Sequence, residues 1–203
     1  EFIRDAALSF SGLLVNSVGG ASVKPYQPAN IWNEVSLNGG LRYKRDSGDN
    51  LYRRSIYTYW KRSAPMPNML IFDAPTREKC MIQRPVTNTP LQALVVLNDP
   101  QFVEAARAFA QKIIIKGGKD DISRINYGFK IVLSRDATEE ELSVIKNVLK
   151  NQITSFGSDK EKAKQFLSVG EFKRDESLDL VEHASWSVIA QILLNMDETL
   201  TRG

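Results

Sequence analysis

The stretch from Asn98 to Gly118, NDPQFVEAARAFAQKIIIKGG, carries the clearest structural information in the sequence. Asp99 is a favoured N-cap residue, and Pro100 suits the first helical position, where no backbone N–H is needed. The two glycines at 117 and 118 end the pattern. The apolar residues between these limits share one helical face: Phe102, Val103, Ala106, Ala110, Ile113 and Ile114. The stretch therefore predicts one long amphipathic helix with defined ends.

Similar start signals flank this helix on both sides. The predicted starts are Thr89–Pro90, Asp120 or Asp121, Thr138 with Glu141, and Ser158 with Glu161. The positions predicted to be buried in the later helices are Ile122, Ile125, Phe129 and Val132, then Leu142, Ile145, Leu149 and Ile153, and finally Val181, Ala184, Val188, Ile192 and Met196.

The first 84 residues show less regular patterning. Ile3, Ala7, Phe10 and Leu14 predict a helix that ends by Gly19–Gly20, and residues 21–50 read as a loop with one helical turn around 31–34. Residues 51–84 read as irregular. The expected fold is mainly α, with a loop-rich amino-terminal half packed on a bundle of about five or six amphipathic helices. We expect a single domain over 1–203, made of a basic arm (1–84) and a helical part (85–203).

Charge is unevenly distributed along the chain. The net charge is +3, but residues 42–84 contain ten Lys and Arg against four Asp and Glu. Such a segment can attract an acidic polymer, or its arginines can hold backbone carbonyls and carboxylates inside a loop-rich region. The second interpretation is favoured, because Asp46, Asp49, Asp73 and Glu78 lie among the basic residues. No apolar run of about twenty residues is present, so no membrane span is expected.

Motifs for known chemistry are missing from the sequence. It contains no haem-attachment motif, no zinc-protease motif, no phosphate-binding glycine loop and no nucleophile elbow, so we expect neither a cofactor nor a metal site. His183, the only histidine, falls off the apolar stripe of its helix and is expected to be solvated. Cys80, the only cysteine, is expected to be a small buried thiol.

Two weaker patterns lie in the basic segment. Asp73 and Glu78 could form a carboxylate pair for glycoside hydrolysis, although two acids five positions apart are weak evidence. Aromatic residues interleaved with arginine and lysine are typical of single-strand nucleic-acid platforms, but also of loop cores in which arginines stack on rings. The aromatic residues concerned are Tyr52, Tyr57, Tyr59, Trp60 and Phe72. Nucleic acid is not the favoured partner.

Several long motifs together resemble the PSD family, a planctomycete-type domain of unknown function (DUF1553). The motifs are LYRRSIYTYWKR at 51–62, FDAPTREKC at 72–80, TNTPLQAL at 87–94 and LNDPQFVEAAR at 97–107. The opening Ile3-Arg4-Asp5 and the closing stretch 193–198 are similar to the two ends of the family's region. The resemblance extends over the whole chain, and the family segment is expected to begin upstream of Glu1.

The resemblance implies a setting for the chain but no catalytic residues. Family members form the carboxy-terminal part of large exported proteins, which often also contain a cytochrome c-like domain with covalent haem. This implies the periplasm or cell surface, with any redox chemistry in another domain. The implied partners are other domains of the same polypeptide and an extracellular polymer or protein.

The leading hypothesis is a non-catalytic interaction or scaffold module. The alternative is part of an enzyme that acts on polysaccharide or another extracellular polymer, with Asp73, Arg77 and Glu78 in a cleft. The candidate ligand-binding residues are Arg53, Arg54, Asp73, Arg77, Glu78 and Arg84. If the scaffold hypothesis is correct, at least two of the four arginines should be largely buried and bonded to backbone carbonyls or carboxylates.

Overall fold

The computed structural model describes residues 1–36, 40 and 42–201, and the described part of the chain is mainly α-helical. The chain divides into two compact units. The first unit comprises Glu1–Asp5 and Leu14–Val95, and the second comprises Ala6–Leu13 and Val96–Gly203. The prediction of a single domain with a division at residue 84 stays a prediction.

The helical elements described in the first unit are short. Helix α1 (Phe2–Ser11) contributes its first residues to this unit, and α2 (Ile31–Glu34), α3 (Pro67–Ile71) and most of α4 (Pro90–Asn98) follow. Two 3-10 helices span Gly48–Tyr52 and Ser55–Tyr57. The predicted helical turn at 31–34 is confirmed. Residues 51–84 are largely irregular as predicted, but α3 and the two 3-10 helices were not predicted. Helix α1 ends earlier than predicted, because Gly12 takes a positive φ of 84° directly after Ser11.

Isolated backbone pairings hold the loops of the first unit together. Val15 pairs with Arg53 and Val23 pairs with Thr58, both in parallel orientation. Val23 N–H donates to Tyr57 O at 2.8 Å, and Tyr59 N–H donates to Val23 O at 2.8 Å. Because neighbouring residues of an extended strand point to opposite sides, buried Val23 and Thr58 leave Lys24 and Tyr59 on the outer side.

The second unit is a helix bundle built around one buried helix. Its principal elements are α5 (Pro100–Lys116), α6 (Asp121–Leu133), α7 (Glu139–Ser158), α8 (Lys160–Leu167), α9 (Leu180–Leu194) and α10 (Asp197–Leu200). Helix α9 packs against all five of the others. At Gly128 in α6, an added Cβ would lie 2.7 Å from Leu193 Cδ1, so glycine permits the close approach of α6 and α9.

The helix starts follow the sequence signals closely. Asp99 caps α5 and Asp120 caps α6, and both members of the predicted capping box at Thr138 and Glu141 are present. The prediction for α8 is wrong by one residue, because Asp159 rather than Ser158 accepts the N-terminal backbone hydrogen bond.

The predicted burial pattern of the later helices is only partly correct. Ile125, Phe129, Leu142, Ile145, Leu149 and Ala184 are buried as predicted, whereas Ile122 and Ile153 are exposed. In α9 the single predicted stripe is wrong. Buried side chains occur all around this helix, including Trp186, Ile189, Ala190 and Leu193, because neighbouring helices surround it.

No helix in the part of the chain that the structure describes is both long enough and apolar enough to cross a membrane.

Candidate functional site

Arg53 is buried and anchors a loop of the first unit. Its Nη1 donates to Ala21 O at 3.0 Å, and its Nη2 donates to Ser17 O at 3.1 Å and to Gly19 O. The guanidinium carbon also lies 4.0 Å from the centroid of the Tyr57 ring. A planar fork with five donors can serve three carbonyls at once. Arg53 thus satisfies a loop that forms no regular ladder of its own.

A second buried arginine, which sequence reasoning missed as a site residue, holds the backbone around Arg53. Arg4 Nη1 donates to Arg53 O at 2.8 Å, and Arg4 Nη2 donates to Leu51 O at 2.8 Å. Asp5 completes the contact, since Ser55 donates to Asp5 Oδ1 through its backbone N–H at 2.8 Å and its hydroxyl at 2.6 Å. No periodicity distinguishes Arg4, because its partners lie some fifty positions away.

The other candidate arginines are exposed. Arg54 points to solvent immediately after Arg53. Arg84 Nη1 forms an ion pair with Glu1 Oε2 at 2.9 Å, and Arg77 Nη2 lies 3.9 Å from the other oxygen of the same carboxylate. The expectation that at least two of Arg53, Arg54, Arg77 and Arg84 are largely buried is therefore wrong, because only Arg53 is. Arg77 and Arg84 form ion pairs at the surface, and such pairs contribute too little energy to draw a side chain into the interior.

Asp73 and Glu78 have different surroundings. Asp73 Oδ2 accepts from both the backbone N–H and the hydroxyl of Thr87, each at 2.8 Å. Gln92 Nε2 then donates to Thr87 Oγ1 at 3.0 Å and to Ile71 O at 2.9 Å. Glu78 is exposed. The Asp73 carboxylate thus joins two loop segments through Thr87.

The aromatic residues of the basic segment do not form one continuous platform. Tyr52 is buried, Tyr57 stacks on Arg53, and Trp60 carries the Arg77 guanidinium over its ring at 4.6 Å. Trp60 Nε1 donates to Thr76 O at 3.1 Å. Of these five aromatic residues only Tyr59 is exposed, at 40%.

Tyr59 instead belongs to an aromatic and lysine cluster that brings together distant parts of the first unit. This aromatic–lysine cluster consists of Lys24, Trp32, Tyr43, Tyr59 and Lys61. The centroid of the Trp32 ring lies 5.2 Å from that of Tyr43 and 5.8 Å from that of Tyr59, with interplanar angles of 67° and 45°. Sequence reasoning identified Tyr59 and Lys61 in the basic segment but not the other three, which reach the cluster through tertiary pairing.

Both lysines of the cluster lie over aromatic rings. Lys61 Nζ is 4.7 Å from the Trp32 centroid, and Lys24 Nζ is 5.8 Å from it and 5.3 Å from the Tyr59 centroid. These distances fall in the range of cation–π attraction. Tyr43 donates through its hydroxyl to Pro25 O at 2.6 Å, and burial raises its pKa, with Asp46 adding to the effect, so its phenol remains protonated.

A polar cluster in the core of the second unit accounts for the single histidine. Glu104 Oε1 accepts from the backbone N–H groups of Glu171 and Phe172 at 2.5 and 2.6 Å, and Arg107 Nη2 donates to Phe172 O. His183 Nε2 lies 3.0 Å from Arg107 O. The expected solvated position of His183 is wrong, because its side chain is fully buried.

The electrostatics of His183 follow from its burial. Removal from water lowers the pKa of the imidazole, Arg174 and Arg107 lower it further, and the bond to Arg107 O and the charge of Asp175 act in the opposite direction. The carbonyl can only accept a hydrogen bond, so Nε2 carries the proton. Together with the bonds of Glu104 and Arg107, these contacts hold residues 171–175 against α5 in the core of the second unit.

The remaining side chains of chemical interest are the single cysteine and the possible metal ligands. Cys80 is exposed, so the expectation of a buried thiol is wrong. Within the residues that the structure describes, no group of three or more His, Cys, Asp or Glu side chains is placed to hold a metal ion.

Comparison with known proteins identifies the family. No curated protein and no solved structure matches the chain. The family model PSD1, described as a protein of unknown function (DUF1553), matches residues 1–149, which include the motifs at 51–62, 72–80, 87–94 and 97–107. Since this match covers more than half of the sequence, the chain belongs to the DUF1553 family.

Proposed function

We propose that the chain is a non-catalytic interaction module whose first unit presents a binding surface on an arginine-stabilised scaffold. The observation that carries the proposal is the position of Arg53, whose guanidinium binds the carbonyls of Ser17, Gly19 and Ala21. A guanidinium committed to three carbonyls has few donors left for a ligand. Arg4 makes the same kind of contact with Leu51 and Arg53, so both buried arginines support the chain's own backbone.

The exposed basic side chains of residues 42–84 support a partner that carries acidic groups. We propose that the module acts within an exported multidomain protein at the periplasm or cell surface, where its partners are other domains of the same polypeptide and an extracellular polymer or protein. A companion cytochrome c-like domain would supply any redox chemistry. Fractionation of source cells, with detection of the native protein, tests this location; recovery only with cytosolic markers would contradict it.

The alternative function, catalysis on a polysaccharide, makes a specific demand on Asp73. Its Oδ2 already accepts two hydrogen bonds from Thr87, so work as an acid or base there would require the carboxylate to exchange these contacts for substrate. Glu78, the other acid of the proposed pair, is exposed. The contacts of Asp73 therefore favour a structural role.

One experiment separates the two functions. The purified chain is incubated with acidic and neutral polysaccharides, and retention on each polymer is measured beside the release of new reducing ends. We expect retention of a polymer without release of reducing ends. Release that disappears in Asp73→Asn but persists in the exposed control Asp49→Asn would establish the enzymatic alternative.

A further inference from the structure

From the aromatic–lysine cluster we infer that the chain binds an acidic polysaccharide, whose carboxylate or sulfate groups meet Lys24 and Lys61 while a sugar ring packs against the aromatic side chains. The inference rests on the proposed function and names its ligand class and site. It begins from local structure. The pairing of Val23 with Thr58 sets Lys24 beside Tyr59, and Lys61 lies on the same side two residues further on.

The two lysines lie over aromatic rings without a direct ion pair to a carboxylate. Both ammonium groups approach the Trp32 ring, at 4.7 and 5.8 Å from its centroid. In the described part of the chain, neither Nζ forms an ion pair with a carboxylate. The carboxylate of Asp46 accepts a hydrogen bond from the backbone N–H of Lys24 at 2.8 Å and not from its ammonium group. Two like charges held at one ring favour the arrival of an anion.

Hydrogen bonds hold two of the aromatic residues in place, and all five residues of the cluster are accessible. The hydroxyl of Tyr43 is fixed on Pro25 O, and the backbone of Tyr59 is fixed on Val23 O. Tyr59 is 40% exposed, and Lys24, Trp32, Tyr43 and Lys61 are each partly exposed. Side chains that are already ordered lose little conformational entropy when a ligand binds.

The arrangement of the rings favours a sugar over a nucleic-acid base. Bases stack face to face on a flat aromatic surface. Here the Trp32 ring is inclined at 67° to the Tyr43 ring and at 45° to the Tyr59 ring, so the three rings do not form a flat surface. Ammonium groups already lie over the Trp32 and Tyr59 rings. A base would have to displace these cations. An acidic sugar instead offers an anion to the ammonium groups and C–H groups to the tilted rings.

The test compares two charge-matched double variants of the full chain. Lys24→Gln/Lys61→Gln removes both cluster charges, whereas Arg62→Gln/Lys79→Gln removes two exposed charges from the same basic segment. Binding to polygalacturonate, chondroitin sulfate, neutral dextran and a single-stranded oligonucleotide is measured by calorimetry or affinity electrophoresis. The first two probes distinguish carboxylate from sulfate as the preferred anion.

We expect the wild-type chain to bind at least one acidic polysaccharide more tightly than dextran or the oligonucleotide. The cluster variant should lose about tenfold or more in affinity and the control variant less than about threefold, since exposed charges outside the contact act mainly by screened attraction. Trp32→Ala should weaken binding similarly. If this variant fails to fold, the lysine variant still decides the matter, because its surface changes leave the packing intact.

Three outcomes would overturn the inference. Equal loss of affinity in the two double variants would mean that general charge, not the cluster, binds the polymer. Tighter binding of the oligonucleotide would make the site a nucleic-acid surface. Binding to none of the polysaccharides would exclude this ligand class, while leaving a protein partner for the module. The non-catalytic role in the proposed function is tested separately, by whether the chain cleaves the polymer.

Discussion

Arg4 Nη1 donates to the carbonyl oxygen of Arg53 at 2.8 Å, so one buried arginine fixes the backbone from which another extends. Arg53 in turn binds three carbonyls of the loop around Gly19. Together, the hydrogen bonds of Arg4 and Arg53 stabilise a region in which few backbone groups pair within a helix or sheet. They also explain how a chain segment with so many charges forms a compact unit.

Replacing Arg53 with lysine should destabilise the first unit. A lysine ammonium has no planar fork and cannot reach all three carbonyls. Because Ser17, Gly19 and Ala21 are exposed, water can hydrate a freed carbonyl, so each lost hydrogen bond should cost about 0.5–1.5 kcal/mol. Urea unfolding of the variant measures the loss. The matched control is Arg54→Lys at the neighbouring exposed position, where we expect a change within about 0.5 kcal/mol. Equal effects at 53 and 54 would mean that the carbonyl contacts of Arg53 contribute little.

Gly170 should be intolerant of alanine. Its φ is +91°, and an added Cβ would lie 2.4 Å from Glu104 Cδ, whose carboxylate is held by two backbone N–H groups. We expect a loss of roughly 1–3 kcal/mol from backbone strain and from displacement of Glu104. Gly157→Ala provides the control, because no atom lies within 4 Å of its added Cβ and the residue is helical.

At Gly157 alanine should instead stabilise α7 by about 0.5–1 kcal/mol, because glycine has the lower helix propensity. Thermal unfolding of the two variants decides the comparison. A Gly170→Ala protein as stable as wild type would show that residues 170–172 can move away from Glu104 without cost.

Local signals predicted the helix starts because the residues that make each cap are neighbours in sequence. Asp99 before Pro100, and Thr138 three residues before Glu141, specify their hydrogen bonds without help from the rest of the chain. The family could also be identified from contiguous motifs, and the family match over residues 1–149 confirms it.

Burial and the candidate site depend on tertiary contacts that no local pattern contains. His183 was expected on a solvated face, but α9 has neighbours on all sides and so lacks a solvated face at that position. Lys24 and Trp32 join Tyr59 only because Val23 pairs with Thr58, thirty-five positions along the chain. The charge count of residues 42–84 indicated a basic surface, but it could not distinguish buried Arg53 from exposed Arg54.

The Asp99 cap should have a measurable effect on α5. Its Oδ1 accepts from Gln101 N–H at 2.9 Å, and Pro100 follows at the first helical position. Asp99→Ala should cost about 0.5–2 kcal/mol of stability. Asp99→Asn retains an acceptor oxygen and should lose less. An unchanged unfolding midpoint in the alanine variant would mean that the cap does not limit the stability of this helix.

Acid should weaken the contact between Arg135 and Glu141. Hydrogen bonds from the Arg135 guanidinium, and then from Thr138, lower the pKa of Glu141 to about 2 from an ordinary 4.5. A lowered carboxyl pKa stabilises the folded state above the unfolded pKa, and this stabilisation is lost as the pH falls from 4.5 towards 2. Glu141→Gln should therefore flatten part of the decline in unfolding free energy over that range.

Arg135 also lowers the pKa of Glu198, so Glu198 contributes to the acid response of both proteins. The difference between wild type and Glu141→Gln isolates the contribution of Glu141. Glu140→Gln, an exposed change in the same helical turn, controls for loss of one negative charge near the start of α7. Identical slopes for wild type and Glu141→Gln below pH 4.5 would contradict the prediction.

His183 should make the stability of the second unit sensitive to mild acid. Burial lowers the pKa of its imidazole below the ordinary 6.5, so at neutral pH the ring is neutral and donates through Nε2 to Arg107 O. The unfolded chain takes up a proton near pH 6.5, whereas the folded chain resists protonation. Stability is therefore fully present above that pH and decreases as the pH falls below it.

The decisive variant is His183→Gln, which keeps an N–H donor of similar reach but cannot titrate. We expect the melting temperature of the wild type to fall between pH 7 and pH 5, and that of the variant to change less. At pH 7 the variant should be less stable than wild type, because glutamine fills the buried site less well than histidine. The stabilisation that comes from the lowered pKa of Glu141 is lost mainly below pH 4.5, outside this window. Parallel pH profiles for the two proteins would mean that His183 is protonated in the folded state as readily as in the unfolded chain, and that its contact with Arg107 O does not depend on a neutral ring.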